Sequence, residues 1–526
     1  MSKHSILEFI NWSLLSMFVN TFKFMKAFGL ILILSCTLSI TIANIPYNIK
    51  FYGAVGDGLT LNTKAIQKAI DEAHASGGGS VIIPKGRFVS GSIILKSGVG
   101  LYLEKKAVLL GSTEVADYIK LNRWGKALIM ADGASNISIS GKGTIDGRGD
   151  ELALHIDSLF YAGKIDSAHY YFAERRPWTE LRPQIIEFNR CSNIKVTNVT
   201  IKNSACWVQA YEKCKNIIID RVKVDSDTYW NNDGIDIVDC QNVQITNCNI
   251  NASDDGICIK SEDFSLTQIC DSIYIADCTV RSSSCAVKFG TSLVSGARNV
   301  VIKNIKVYDT YRSAIAIECT QGGFIENVLV DNIVAKNTGN AIFIRIGKIR
   351  GAASAGPLRN VTIKNIKVSV PFDKPDKNYI IRGPDLASFH NIFPSSITGN
   401  PGVYVENVSL ENIKITYPGR GTKAYANLPL YRIKDVPELE TAYPEFSMFG
   451  ELPAWGFYVR HVKGLQFKNI ELKIEKPDYR PAFVFDDTHN LHLETITVKG
   501  DNKQRAIFYK DTSQVNCVNL KVILKK

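Results

Sequence analysis

The sequence predicts an all-β fold, a single-stranded right-handed parallel β-helix with an N-terminal capping helix. Three observations predict it: a short phrase recurs along the chain, its copies are nearly evenly spaced, and aliphatic and polar residues alternate inside each copy. A repeat of this length is typical of a solenoid, and alternation with a period of two is typical of strands rather than helices.

The recurring phrase reads Asn-Φ-x-Φ-x-(Asn/Asp), where Φ is an aliphatic residue and Ser or Gly sometimes replaces the first Asn. Its copies are NIKVTN at 193, NIIIDR at 216, NVQITN at 242, SIYIAD at 272, NVVIKN at 299, NVLVDN at 327, NVTIKN at 360, NVSLEN at 407 and GLQFKN at 464. The first seven copies start 23, 26, 30, 27, 28 and 33 residues apart. Because coils of a solenoid stack like on like, the repeated Asn predicts ladders of side-chain amides at the corners.

One segment departs from the strand pattern. Residues 62–79 read NTKAIQKAIDEAHASGGG, in which Asn62 or Thr63 is a typical helix N-cap and the glycine run ends the helix. The apolar residues of one face are Ala65, Ile66, Ala69, Ile70 and Ala73. Since the open end of a solenoid needs a cover, we expect this helix to cap the N-terminal end.

The start of the chain has the layout of an export signal. From Met25, MKAFGLILILSCTLSITIA combines a Lys, a short apolar stretch and small residues ending at Ala43. We therefore assign residues 1–43 to an N-terminal extension and a cleaved signal peptide, and 44–526 to one β-helix domain. The mature protein is expected to be secreted or periplasmic, without a membrane span.

Three segments break the coil rhythm and are predicted to be insertions, namely 151–182, 371–402 and 417–456. Lys and Arg exceed Asp and Glu by 62 to 51, which would suit a polyanionic substrate, but the chain has no basic run typical of a nucleic-acid partner. Without Cys36, eleven cysteines remain, most of them within apolar alternations. We interpret them as core thiols rather than as a disulfide framework.

Stacking also permits strands of different coils to be aligned. DGIDIV at 233, DGICIK at 255, CAVKFG at 285, SAIAIE at 313 and NAIFIR at 340 each carry aliphatic residues or Phe at their third and fifth positions, which must point inward. The other columns are expected to face solvent. This alignment places Asp233, Asp255 and Cys285 in one column and Asn232, Asp254, Ser284 and Arg312 in the column before it. Since neighbouring strands lie about 4.8 Å apart, Asp233, Asp254 and Asp255 should converge on one patch.

Three converging carboxylates predict a chemical role, because like charges at that distance repel and raise at least one pKa. Adjacent Asp254 and Asp255 must lie at a bend just before the strand, which Gly256 makes easy. Hydrolysis of a glycosidic bond with inversion needs one protonated carboxylic acid and carboxylate that activates water. An Asp-rich turn or a calcium-binding corner is the alternative interpretation.

At these residues the chain resembles glycoside hydrolase family 28, the polygalacturonase family. The family's Asn-x-Asp-Gly motif matches Asn231, Asp233 and Gly234, and its Asp-Asp pair matches Asp254 and Asp255. The likeness covers about 45–500 and includes FYGAVGDG at 51, GGGSVIIPKGRF at 77 and GKGTIDGRG at 141. It implies a secreted inverting hydrolase of pectic oligo- or polysaccharide with Asp254 as general acid and with Asp233 and Asp255 holding the attacking water. It also implies that no metal or cofactor takes part, and we expect a monomer.

The chain departs from the family pattern at two motifs. Ser284, Cys285 and Ala286 stand where the family has Gly-His-Gly, and Ala316, Ile317 and Glu318 stand where it has Arg-Ile-Lys. The cations that the resemblance would assign to a galacturonate carboxylate are therefore missing. Either other cations replace them, or the sugar at the cleavage point is not galacturonate.

Several other residues are candidates for substrate binding. The replacement cations could be Lys260, Lys288, Arg312 and Arg345, which could alternatively form ion pairs with Glu318 and its neighbours. Asn231 belongs to the family motif, and Trp230 directly before it could stack on a sugar ring. The insertion 151–182 is rich in aromatic residues and Arg, and it could wall the cleft and make the enzyme exo-acting or serve packing alone.

Two other functions remain open at this point. β-helical polysaccharide lyases pair an Asp cluster holding calcium with an Arg or Lys base, and a β-helix can also bind carbohydrate without catalysis. A lyase of this kind depends on calcium, and its product is an unsaturated sugar that absorbs ultraviolet light. A hydrolase needs no calcium and leaves no unsaturated sugar. Loss of activity on substitution of Asp254 would exclude the non-catalytic alternative.

Overall fold

The computed structural model describes residues 46–121, 125–375, 390–422, 430–500 and 506–524. The compact unit Tyr47–Lys526 contains the solenoid. The predicted signal peptide, its cleavage point and Cys36 lie outside the described residues. In the ranges that the structure describes, no helix combines the length and apolar character that a membrane crossing requires.

The solenoid is a parallel β-helix whose coils each pass through three sheets, here called A, B and C. Strands of the solenoid pair in parallel with the equivalent strand of the next coil, as Ile194, Ile217 and Val243 do in sheet B. The all-β, parallel class predicted from the repeat is therefore confirmed. Its right-handedness stays a prediction.

Most strands belong to only one of the three sheets. Sheet A contains Ile93–Ile94, Ala127–Asp132, Gln184–Asn189, Gln209–Glu212, Ile235–Val238, Ile257–Ser261, Val287–Leu293, Ser395–Thr398 and Ile507–Lys510. Sheet B contains Pro46–Asn48, Gly79–Ile83, Val99–Leu103, Ser135–Gly141, Ser192–Thr197, Lys215–Asp220, Gln241–Thr246 and Cys270–Ala276. Sheet C contains Asp57–Leu61, Gly86–Ser90, Ala107–Gly111, Thr144–Asp146, Thr200–Lys202, Lys223–Ser226, Asn249–Ala252 and Thr279–Ser282.

In the C-terminal half, long strands run through corners and join two or three sheets. They are Gly296–Cys319, Phe324–Ile346, Leu358–Ser369, Val405–Tyr417, Phe457–Ile474, Phe483–Gly500 and Ser513–Leu524. Ser395–Thr398 lies inside the segment 371–402 that the sequence predicts as an insertion, yet it pairs with strands on both sides. The interruption of the solenoid there is therefore shorter than expected.

Asparagine ladders hold the corners between coils, as the repeated phrase predicts. Asn216 Nδ2 donates to Asn193 Oδ1 at 2.9 Å, and Asn242 Nδ2 donates to Asn216 Oδ1 at 2.7 Å. Both Asn193 and Asn216 have positive φ angles, 55° and 57°, in the left-handed region. Asn recurs here because it tolerates that conformation better than other side chains with a Cβ and can bond to the coils on either side.

The core consists of stacked aliphatic columns inside the coils. Ile235, Ile257, Val287, Ile315 and Ile342 are register partners in sheet A and are all buried, which confirms the alignment made from the sequence. The cysteines from Cys191 to Cys319 are buried and free, whereas Cys517 is exposed. Burial of each large aliphatic side chain stabilises the fold by about 1.5–3 kcal/mol.

The described residues contain two α-helices. Helix α1, Thr63–Ala75, buries Ile66, Ala69, Ile70 and Ala73, close to the predicted bounds and on the predicted face. Its role as the N-terminal cap stays a prediction. Helix α2, Gly149–Tyr161, begins the 151–182 insertion.

The rest of that insertion and the 417–456 segment are built from short elements. In the first, an antiparallel pair of Tyr170–Tyr171 and Arg176–Pro177 is flanked by 3₁₀ turns at Ser167–His169, Phe172–Glu174 and Thr179–Leu181. The other described 3₁₀ turns are Ile49–Tyr52, Val115–Asp117 and Leu430–Asp435.

Candidate active site

The candidate site lies where consecutive coils turn from sheet C into sheet A. Asp233 precedes the strand Ile235–Val238, and Asp254 lies at a bend, followed by Asp255, before Ile257–Ser261. The Gly234 N–H donates to the Asp255 carbonyl at 2.9 Å, so Asp233 stacks on Asp255 as predicted. A Cβ at Gly234 would lie 2.5 Å from the Gly256 carbonyl oxygen, which explains why glycine follows the aspartate.

Three aspartates come together at these turns, and we call Asp233, Asp254 and Asp255 the carboxylate group. One oxygen of each lies within 4.8 Å of one oxygen of the others. Asp233 and Asp255 are buried, whereas Asp254 is partly exposed. Backbone donors fix two of the three carboxylates, because the Asp255 N–H donates to Asp254 Oδ1 at 2.9 Å and the Cys285 N–H donates to Asp255 Oδ1 at 3.0 Å.

Two buried lysines from sheet A pair with this group. Lys260 Nζ lies 2.9 Å from Asp233 Oδ2 and also pairs with Asp236, while the Trp207 ring centroid is 3.9 Å away. Lys288 Nζ lies 3.1 Å from Asp255 Oδ2 and 3.7 Å from Glu318 Oε2. These two of the predicted substrate-binding residues thus form ion pairs inside the protein.

Adjacent Asp254 and Asp255 have pKa values shifted in opposite directions. Burial, together with the charge of Asp255, raises the pKa of Asp254. Burial alone would also raise the pKa of Asp255, but the ammonium groups of Lys288 and Lys260 outweigh it and lower that pKa below its usual value. Burial raises the pKa of Asp233 well above normal. Neighbouring carboxyls whose pKa values are pushed apart are typical of an acid and base pair.

Asn231 and two arginines form the wall on the side of Asp254. Asn231 Nδ2 donates to Asp254 Oδ2 at 3.3 Å, and Asn231 Oδ1 accepts from Arg182 at 2.9 Å and from Arg176. Arg182 is buried and also donates to the carbonyls of Pro177, Ala205 and Trp230. The Arg176 guanidinium carbon lies 5.1 Å from the Trp230 ring centroid, so the predicted residue Trp230 is part of this wall.

The segment 430–456 covers the opposite side of the group. Tyr443 lies against two cations, with its ring centroid 5.7 Å from Lys288 Nζ and 5.8 Å from the Arg312 guanidinium carbon. Its hydroxyl accepts from Thr291 Oγ1 at 3.1 Å, and Arg312 pairs with Glu445 at 3.3 Å. Arg312 therefore reaches the site region but already has a carboxylate partner.

This covering corrects one expectation, because the outward columns of sheet A do not face solvent here. Cys285 and Ala316, which stand where the family has His and Arg, are buried in a small apolar cluster with Tyr311, Phe343, Phe393 and Phe446. Glu318 is buried as well, and burial raises its pKa to about 7. The family's cationic positions have thus become an apolar patch and a buried acid beneath the inserted segments.

Arg345 is not brought to the carboxylate group by the fold. It is 1% exposed, and its guanidinium donates to the carbonyls of Gly399 and Glu438, each at 2.7 Å. The Phe449 ring centroid lies 5.2 Å from its guanidinium carbon. Arg345 anchors the 430–456 segment and has no contact with the aspartates.

Several residues of the site were missed from the sequence. Asp236 pairs with Lys260, and burial raises its pKa to about 6. Its outward position in the strand was visible in the alternation, but it matched no motif. Arg176, Tyr443 and Glu445 come from insertions, where no repeat gives a register from which their position could be inferred.

The carboxylate group is the one cluster among the described residues that could hold a metal ion by geometry. Its charge environment does not favour one, because Lys260 and Lys288 already place two ammonium groups at 2.9 and 3.1 Å from its oxygens. A divalent cation would have to displace or repel both. The residues therefore fit acid and base chemistry better than a calcium site.

Comparison with known proteins shows the family to which this chain belongs. Residues 76–432 match the sequence profile of glycosyl hydrolases family 28. The chain belongs to family 28. Its carboxylate group therefore lies within the stretch that defines the family, and so do Cys285, Ala316 and Glu318, where it departs from the family pattern.

Two curated relatives illustrate how far the likeness of this family 28 chain extends. It is 28% identical over 335 residues to a "Probable polygalacturonase" of Vitis vinifera, covering 60% of each chain. It is 27% identical over 391 residues to the "Exo-poly-alpha-D-galacturonosidase" of Dickeya chrysanthemi, covering 64% of each. The matches thus span less than two thirds of these relatives' length.

Two solved structures share the fold. The exopolygalacturonase of Thermotoga maritima aligns with a TM-score of 0.55 at 23% identity, over 72% of this chain and 88% of that one. The family 28 exopolygalacturonase of Yersinia enterocolitica aligns with a TM-score of 0.59 at 19% identity, over 91% and 78%. At these identities the likeness concerns the β-helix alone.

Proposed function

We propose that this protein is a glycoside hydrolase that cleaves pectic polysaccharide of the polygalacturonase or rhamnogalacturonan-hydrolase type with inversion. The observation that carries the proposal is the pair Asp254 and Asp255, whose pKa values are shifted apart within a group of three carboxylates. Membership of family 28 and relatives named polygalacturonases support the substrate class.

Asp254 serves as the general acid. Its raised pKa keeps the proton available, and its partial exposure lets it reach a bound sugar. It transfers that proton to the glycosidic oxygen as the bond to the anomeric carbon breaks, so the leaving sugar departs as a neutral alcohol. Asn231 orients the carboxyl through its amide N–H.

Asp255 and Asp233 hold and activate the attacking water. Asp255 keeps its negative charge because Lys288 and Lys260 lower its pKa, so it can accept a proton from water as the new bond to the anomeric carbon forms. Asp233, whose pKa is raised by burial, orients the water through its carboxyl group, which Lys260 holds by donating to Oδ2. The proton taken from water and the proton lost by Asp254 are exchanged with solvent before the next turnover.

One experiment tests the reaction class. The mature protein is incubated with homogalacturonan, rhamnogalacturonan, arabinan and galactan oligosaccharides, with and without a chelator, and products are analysed for new reducing ends and ultraviolet absorbance. The proposal expects new reducing ends from a pectic substrate, no absorbing unsaturated product and no effect of the chelator. Unsaturated products and calcium dependence would instead identify a lyase, and no product from any substrate would favour a carbohydrate-binding β-helix.

We also propose that the protein is exported, with the signal peptide cleaved after Ala43, and that it acts as a monomer outside the cytoplasm. The predicted signal sequence and the pectic substrate, a polymer outside the cell, support export. N-terminal sequencing of protein recovered from the periplasm or medium tests it, and an intact N-terminus in the cytoplasm would contradict it.

A further inference from the structure

The charges around the carboxylate group are unequally available to a substrate. Four of the surrounding cations have buried side chains, with Lys260 8%, Lys288 2% and Arg312 4% exposed and Arg182 1% exposed as a residue. Each of these four is bound to aspartates, a glutamate or backbone carbonyls of the protein. A substrate carboxylate would have to break those contacts to reach them.

Arg176 differs from these four cations in its exposure and in its partner. Its side chain is 16% exposed, and its Nε donates to Glu174 Oε2 at 2.6 Å, while its NH2 lies 2.5 Å from the same oxygen. Glu174 is two residues away in the chain and 38% exposed, so this ion pair is a solvent-screened contact of the kind that contributes little stability. The Nε and NH2 edge is also the edge that a carboxylate binds with two parallel hydrogen bonds.

The rest of the guanidinium is fixed toward the reacting group. Arg176 NH1 donates to Asn231 Oδ1, and Asn231 Nδ2 donates to Asp254 Oδ2 at 3.3 Å. The Trp230 ring centroid lies 5.1 Å and the Tyr171 ring centroid 5.9 Å from the guanidinium carbon. Arg176 is therefore held two hydrogen bonds from the proposed acid, beside a partly exposed indole ring that can stack on a sugar.

We infer that Arg176 is a specificity-determining residue that binds the carboxylate of a uronic acid unit of the substrate beside Asp254, with Glu174 occupying that position in the free protein. The inference rests on the proposed function and goes beyond it, because it assigns acidic-sugar recognition to the 151–182 insertion. It also accounts for a chain in which Cys285, Ala316 and Glu318 have replaced the family's own cations.

The test compares a charged and an uncharged substrate of the same length. Initial rates are measured on trigalacturonate and on its methyl ester for the wild type, Arg176→Gln, Glu174→Gln and the control Arg175→Gln, which removes an exposed neighbouring arginine of the same insertion. We expect Arg176→Gln to lower kcat/KM about 10- to 100-fold on trigalacturonate, the cost of one charge-assisted pair, and less than about threefold on the ester.

Different results are expected for the two remaining variants. Glu174→Gln should lower KM for trigalacturonate about two- to fivefold, because the guanidinium no longer has a competing carboxylate, and Arg175→Gln should change neither substrate. Equal losses on both substrates in Arg176→Gln would overturn the inference and leave Arg176 a support for Asn231. If the wild type hydrolyses neither substrate and Asp254→Asn binds no trigalacturonate by calorimetry, the proposed function fails and the inference fails with it.

Discussion

Asp254 and Asp255 are neighbours in the chain, joined by a 2.9 Å hydrogen bond from the Asp255 N–H to Asp254 Oδ1, yet their carboxyl pKa values shift in opposite directions. The difference arises from position, because Lys288 lies 3.1 Å from Asp255 while Asp254 faces the partly exposed side of the turn. One bend of the coil thus supplies both a proton donor and a proton acceptor.

Substitution of the proposed acid should separate chemistry from folding. Asp254→Asn is expected to reduce kcat by about 10²–10⁴-fold, because an amide cannot donate the required proton. Its thermal unfolding midpoint should stay within a few degrees of the wild type. Asp277→Asn is the matched control, since this exposed aspartate accepts from Asn304 at a corner where Asn is the usual residue. Near-normal turnover in Asp254→Asn would remove the assignment.

The pH dependence of kcat/KM should be bell-shaped with two limbs of known origin. Asp254 must be protonated and its pKa is raised above 3.8, so activity falls as pH rises through that pKa. Asp255 must be ionised and its pKa is lowered below 3.8, so activity falls as pH drops through that value. Lys288→Met removes the adjacent positive charge and should move the acidic limb to higher pH, whereas Lys288→Arg should leave it in place. An acidic limb that is the same in all three proteins would contradict this account.

Substrate preference should reflect the lost cations. An Arg-to-carboxylate contact contributes on the order of 1.5–3 kcal/mol, so two lost contacts could cost about a hundredfold or more in specificity for galacturonate. With Arg176 as one remaining carboxylate contact, we expect weak cleavage of plain homogalacturonan and higher kcat/KM on a branched or mixed pectic substrate. Efficient release of galacturonate from homogalacturonan by the wild type, and also by Lys288→Ala and Arg345→Ala, would contradict this expectation. It would show that recognition of galacturonate needs neither the missing family cations nor Lys288 and Arg345.

Stability should depend on pH through His461, which ties the 430–456 segment to the solenoid. Its ring nitrogens lie 3.1 Å from Glu438 Oε2 and 2.6 Å from Asp487 Oδ2. Burial alone would lower the pKa of His461, but the two carboxylates outweigh it and raise that pKa above 6.5. This stabilisation is complete below pH 6.5 and is lost as pH rises through the folded-state pKa.

His461→Gln should therefore lower the unfolding midpoint at pH 5.5 and change it little at pH 9. His155→Gln, at a partly exposed histidine 3.4 Å from Glu114 on the other insertion, is the comparison. A loss of stability in His461→Gln that is the same at both pH values would show that packing, not charge, accounts for its contribution.

The repeat made much of the fold, and the position of the carboxylate group, predictable from the sequence. Once Ile235, Ile257 and Val287 are stacked, the positions of Asp233, Asp254 and Asp255 follow from a strand spacing of about 4.8 Å. The same rule predicted the Asn ladders, because identical residues recur at the same corner. Local periodicity thus determines long-range contacts in a solenoid in a way that it cannot in most folds.

The insertions could not be placed by that rule. Tyr443, Glu445 and Arg176 reach the site from segments without a repeat, and they convert expected solvent-facing columns into buried ones. The burial of Lys288 and Glu318 depends on these covering segments, so their availability to a substrate could not be inferred from the strand alternation. Only the structure separates the buried, paired cations from the more accessible Arg176.

The central claim, acid and base hydrolysis by the carboxylate group, is tested most directly by the configuration of the first product. Most inverting glycosidases hold their two carboxyl groups about 6.5–9.5 Å apart and most retaining ones about 5–5.5 Å apart. Here one oxygen of each aspartate lies within 4.8 Å of the others, so the separation alone does not indicate inversion, and proton NMR of the new reducing end during the first minutes of reaction decides it. The account predicts an anomer of opposite configuration to the bond cleaved, absent in Asp254→Asn. A first product that retains the original configuration would contradict it.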